Sequence, residues 1–188
     1  DLWRHRGESL VVSGVHDTAV QVLVAALNHL LGNVGRTLDL GQPSLLHQAD
    51  DDEMRGLIEE MHRGDVQALI LYGVNPAYDF PDATGFADAL ERVALSVSLA
   101  DRLDETAEKV HAVAPDHHFL EAWGDAEPAA SHYSLAQPTI PPLFDTRAAQ
   151  ESLLRWSGQP PDFHAALREH WRREIHPRAA GLPGFEAD

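Results

Sequence analysis

A chain of 188 residues is long enough for one well-buried domain and short for two. It has no cysteine, which removes disulfides, thiolate zinc sites, cysteine-ligated iron–sulfur clusters and cysteine nucleophiles. Thirty acidic residues face fourteen basic ones, and the net charge of -16 argues against nucleic acid and anionic membranes, both of which are bound through Lys and Arg.

Strands and helices are predicted to alternate through the first two thirds. Ser9–Gly14 is a short β-branched apolar run ended by glycine and predicts a first strand. A helix follows from a cap at Asp17 or Thr18. Its apolar residues Val20, Leu23, Val24, Leu27, Leu30 and Leu31 cover much of its circumference, so it is expected to be largely buried. After a connector, the cluster Asp50–Glu53 suits the start of a second helix. Its face is Met54, Leu57, Ile58 and Met61, and Gly64 ends it. The run from Val66 to Tyr72 predicts a buried strand, stopped by Gly73-Val74-Asn75-Pro76. A shorter helix from about Pro81 to Arg92, a strand at Leu95–Leu99, one or two helical turns at Asp104–Lys109 and a short strand at His111–Ala114 complete the series. This order predicts an α/β fold, a largely parallel sheet flanked by helices on both faces.

The period fails between Asp116 and Asp145, where prolines stand at 128, 138, 141 and 142. So long an irregular, Pro-rich loop is expected to form a functional or partner-binding segment. Two C-terminal helices are predicted, one near Thr146–Trp156 and one from an Asp162 cap to about Ile175. Residues 1–176 then form one α/β domain, with 177–188 a linker toward a missing C-terminal region of a larger chain. Phe185-Glu186 reads as the opening of another helix.

The chemistry-bearing motifs are sparse. His117, His118 and Glu121 form one cluster and His170 with Glu174 another, yet neither has the spacing of a zinc hydrolase, and no metal ligand is assigned. No Gly-x-Ser-x-Gly elbow is present, and no catalytic residue is assigned. Gly32-Asn33-Val34-Gly35 follows a helix instead of opening one, which suits a helix cap better than a phosphate loop. Trp123 in its loop reads as a plug. The Gly73–Pro76 turn stands at a strand's carboxyl end, where open α/β sheets bind ligands.

Taken in order, these phrases resemble the third, Rossmann-like portion of molybdopterin oxidoreductases. Leu31-Gly32-Asn33-Val34-Gly35, Gly73-Val74-Asn75-Pro76, Asp104-Glu105-Thr106-Ala107, His111-Ala112-Val113-Ala114-Pro115 and Glu121 before Gly124 carry the likeness over roughly residues 10–140. Phe119–Asp125, Gln137–Leu143 and the last helix with Phe185-Glu186 resemble one branch, the large iron–sulfur subunit of alternative complex III. The resemblance implies a Rossmann-like domain and, at a cofactor rim, Gly73, Asn75, Pro76, Asp101 and Thr106. It also implies that this piece is a non-catalytic scaffold holding no cofactor, with iron–sulfur clusters elsewhere in the parent chain. Departure from the family's Ala-Asp-Val-Val-Leu-Pro phrase at His111 and Ala114 sets retention of a molybdopterin against it. The implied setting is a respiratory membrane complex on the periplasmic side of a bacterial inner membrane. There quinol is oxidised, and the partners are other domains of the parent chain and sister subunits. On that reading Asn75→Ala leaves folding and complex activity nearly unchanged. The alternative is a cofactor-binding domain of an active enzyme carrying a bis-guanine dinucleotide molybdopterin.

Overall fold

A computed structural model describes residues 1–46 and 50–179, and the expected helix start at Phe185 lies outside them. The chain divides into two compact units: Asp1–Gln48 with Glu127–Tyr133, and Ala49–Ala126 with Ser134–Asp188.

In the first unit a 3-10 turn, Leu2–His5, precedes α1, Thr18–Leu30. Asp17 caps α1 by accepting from the Val20 amide at 2.9 Å. The strand expected at Ser9–Gly14 is not formed. Side chains of α1 take its backbone groups instead. Asn28 Oδ1 accepts from Val11 N at 3.0 Å and Asn28 Nδ2 donates to Val11 O at 2.8 Å, while Gln21 Nε2 donates to Val15 O at 2.7 Å. A side-chain amide thus occupies the positions of a neighbouring strand's peptide. Nor is α1 largely buried: Leu23 and Leu30 are 64% and 58% exposed. What holds α1 is polar. Asn33, fully buried, donates from Nδ2 to Asn28 Oδ1 at 2.9 Å, and its carbonyl accepts from the amides of Arg36, Thr37 and Leu38. The Gly32–Gly35 phrase is therefore a helix-end turn, with both glycines at positive φ.

In the second unit α2, Asp51–Arg63, begins where Asp50 accepts from the amides of Asp52 and Glu53, and ends on left-handed Gly64. Strand β1, Ala68–Leu71, leads to the short helix α3, Pro76–Asp79, and then to α4, Ala83–Leu90. Strands β2, Leu95–Ser98, and β3, Ala112–Val113, complete a parallel sheet in the order β1-β2-β3. The α/β, Rossmann-like expectation is thus met. Pairing sets Leu69 and Leu71 beside Ser96 and Ser98, and this face is buried. Against it lie Ile58 and Met61 of α2 and Phe86, Ala89 and Leu90 of α4. On the other face Ile70 and Leu95 stay about half exposed, and near the carboxyl edge Gln150 Nε2 of α5 (Ala149–Trp156) donates to Tyr72 Oη at 2.8 Å.

The shortness of β3 has a side-chain cause at its start. His111 Nδ1 accepts from Ser96 N at 3.2 Å and lies 2.8 Å from Ser96 Oγ, and Ser96 Oγ accepts from His111 N. The imidazole occupies the place where one further ladder step would form.

The Pro-rich stretch is not irregular throughout. It contains the strands β4, Gly124–Ala129, and β5, His132–Ala136, which form a two-stranded sheet. Polar and small residues at Gly124, Asp125, Ser131 and Ser134 hide the period-2 pattern from a reading based on apolar alternation. Helix α6, Phe163–His170, follows its Asp162 cap and continues as a π turn, Trp171–Ile175. Trp123 stacks on His164 with ring centroids 4.2 Å apart, so the expected plug is a stacked pair.

Candidate functional site

Parallel strands bring their carboxyl ends to one edge, and here that edge carries the loops after β1, β2 and β3. Gly73, at φ +64, turns the chain away from the sheet, a conformation that side chains with a Cβ rarely adopt. Between the loops lies a cleft of about 530 Å³. Its lining includes Gly73 and Asn75 after β1, Asp101 after β2, and Asp116, His117 and Phe119 after β3.

Of the five residues expected at the rim, Gly73, Asn75 and Asp101 line the cleft. Pro76 is buried at the first position of α3, and Thr106 is fully buried beneath the loop. Asn75 and Thr106 form a lock. Asn75 Oδ1 accepts from Thr106 Oγ1 at 2.7 Å and from Thr106 N at 3.1 Å, and Thr106 Oγ1 accepts from Ala77 N at 3.0 Å. Asn75 Nδ2 donates to Glu105 Oε2 at 2.7 Å, which holds the Glu105 carboxyl below its ordinary pKa. These bonds join the first loop to the second across about thirty residues of chain. They make the Asn75 side chain part of the scaffold that shapes the edge and argue that Asn75→Ala destabilises it.

The amides that open α3 are also spoken for. Ala77 N bonds Thr106, and the amides of Tyr78 and Asp79 donate to Asn75 O at 2.9 and 2.8 Å. No backbone donor there is left to cradle a phosphate.

The charges of the cleft are mostly negative. Asp79, Asp101, Asp104 and Asp116 line it, with Arg102 the one arginine or lysine in the lining. Arg102 is bidentate to Asp101, at 2.9 and 3.0 Å, and lowers the Asp101 pKa. Asp116 behaves oppositely: burial pushes its pKa up, against the amides of Ala149 and His117 that donate to Oδ1 at 2.7 Å. A carboxyl whose folded pKa is raised adds stability below its unfolded pKa, and that contribution is lost as pH rises through the folded value. Asp116→Asn keeps an acceptor at Oδ1 and removes the charge. The variant is expected to melt higher than the parent at pH 7, with the gap closing as pH falls through the carboxylate range. Parallel melting curves from pH 3 to 8 check this; a variant that melts lower at pH 7 refutes it.

Glu121 is a clamp. Buried at 8% exposure, it accepts from His118 N on Oε2 and from Leu143 N on Oε1, both at 3.1 Å. It thereby pins the segment around Leu143 to the loop after β3, and its two oxygens are occupied by backbone donors.

Asp116, His117 and Phe119 were not placed at the rim by sequence reasoning. The available signal was position: like the Gly73 turn, they follow a parallel strand.

Fold and edge together define a Rossmann-like α/β unit with an acidic, aromatic-walled cleft at the carboxyl ends of its strands. No protein-family model matches the chain. It is similar to the menaquinone reductase, molybdopterin-binding-like subunit of Nitratidesulfovibrio vulgaris strain Hildenborough, with 36% identity over 97 residues. That match takes in 50% of this chain and 14% of the relative's length, and it supports a molybdopterin-oxidoreductase-like relationship.

Proposed function

We propose that this chain is a non-catalytic scaffold portion of a respiratory molybdopterin-oxidoreductase-like subunit. In this reading it supports quinol oxidation and electron transfer in a membrane complex, on the periplasmic side of a bacterial inner membrane, as the large iron–sulfur subunit of alternative complex III does. Its partners are the other domains of its parent chain and sister subunits, and any iron–sulfur clusters belong to those other domains.

The observation that carries the proposal is how the edge spends its polar groups. A guanine dinucleotide pterin brings a pyrophosphate, which needs amide donors or free cations. The α3 amides are bonded within the chain, Arg102 is paired with Asp101, and three further aspartates face the space. The residues present do not fit the phosphates of that group.

A second reading, a cofactor-binding domain, has one observation in its favour. Asp101 carries a carboxylate held ionised by Arg102, and a guanine edge offers two N–H donors to such a group.

Elemental mass spectrometry and pterin extraction on the full-length parent subunit separate the two. Iron without molybdenum, tungsten or pterin is the expected result. Stoichiometric molybdenum with a guanine pterin overturns the scaffold reading.

A further inference from the structure

The walls of the cleft contrast with its floor. Phe119 in the wall is 73% exposed, and Val74 on the loop after β1 is 53% exposed. A second cavity of about 330 Å³ shares Asp101, Asp116 and His118 with the first, and Leu143 and Phe144, 69% and 77% exposed, stand around it. The two hollows form one depression with an apolar collar and an acidic floor. Exposed apolar surface gathered round a concavity marks an interaction site more often than a solvated face.

The collar and floor together specify the chemistry of an occupant. Four carboxylates line the floor: Arg102 engages Asp101, and backbone amides take Oδ1 of Asp104 and of Asp116. The Asp79 carboxylate and the second oxygens of Asp104 and Asp116 face the space as acceptors. In the same wall His117 Nε2 is buried without a hydrogen-bond partner. Phe119 and Tyr72 present aromatic rings beside these acceptors. A planar guanidinium suits the acceptors and the rings: it bonds carboxylates two at a time, stacks on an aromatic ring and loses less hydration than an ammonium. The apolar collar then accepts the neighbours of that arginine. Charge complementarity operates at long range as well, since a chain of net charge -16 draws in a basic segment.

We infer that this depression docks an arginine-bearing, apolar-flanked segment of a partner polypeptide. The inference rests on the reading of the edge as unfit for a dinucleotide, because both ligands would fill the same space.

The probe is the blocked tripeptide leucyl-arginyl-leucine, titrated into the ¹⁵N-labelled chain and followed by amide chemical shifts. Its neutral control replaces arginine with citrulline, which is nearly the same in shape. Saturable shifts are expected at residues 72–74, 100–102 and 117–119, with affinity about tenfold weaker for the citrulline peptide. The double variant Asp79→Asn/Asp101→Asn removes charges outside the Asn75–Thr106 lock. It is expected to lose arginine-peptide affinity by a similar factor while the signals of α2 and α4 stay in place. Equal affinity for the two peptides, or no saturable shift with either, overturns the inference. Guanosine diphosphate serves as the discriminating arm. If it shifts the same amides, the scaffold reading and the docking inference both fall; if it is silent while the peptides also fail, only the docking inference falls.

Discussion

Phe86→Ala is expected to remove about 3–5 kcal/mol of folding stability, the range for deleting a buried aromatic side chain. Phe86 is fully buried on α4, packed with Met61 of α2 and Leu71 of β1. It lies where two helices and the sheet meet, so neighbours anchored on three elements cannot all close over the void. Typical domains are stable by about 5–15 kcal/mol, so the variant stands near the limit of folding. Urea unfolding followed by circular dichroism measures the loss, and Tyr78→Ala, at a position 71% exposed, is the control expected within about 0.5 kcal/mol of the parent. A loss below about 1 kcal/mol for Phe86→Ala would falsify the placement of α4 over the sheet.

Asn75→Ala is expected to cost about 2–3 kcal/mol, more than its part-buried position alone suggests. Truncation removes the acceptor of two Thr106 bonds and the donor to Glu105. Thr106 is fully buried; its amide keeps its bond to Asp104 Oδ1, but its hydroxyl, still accepting from Ala77 N, is left with no acceptor for its own proton. An unmet buried donor costs more than its bond returns when made. The pair is testable as a unit. Thr106→Val and Asn75→Ala should be non-additive, with a coupling of about 1 kcal/mol or more, since each destroys the same contact. Additive losses would show that the two side chains act separately. The same lock bears on function, because it decides which groups at the sheet edge remain free for a ligand.

Reading the chain in order gave the class of fold and most of its elements. Helices α2 and α6 were visible in part because each starts at an acidic cap, Asp50 or Asp162, whose carboxylate meets an amide within four residues. Strands β1 and β2 were visible as short apolar or alternating runs ended by turn residues. The rim position of Gly73 also followed, since a strand halted by Gly-x-Asn-Pro delivers its loop to the edge.

Three things escaped. Whether Ser9–Gly14 becomes a strand depends on a partner, and Asn28 of α1, seventeen residues away from Val11, supplies the bonds a partner would have made. The role of Asn75 depends on Thr106, thirty-one positions along the chain. The character of the cleft depends on Asp79, Asp101 and Asp116, brought together from the connections after three separate strands. Local sequence determined the elements of this protein because caps, turns and periodicity act within a few residues. Only the tertiary structure decided which polar groups are already satisfied and which still face the cleft, because satisfaction is a property of pairs that meet through folding.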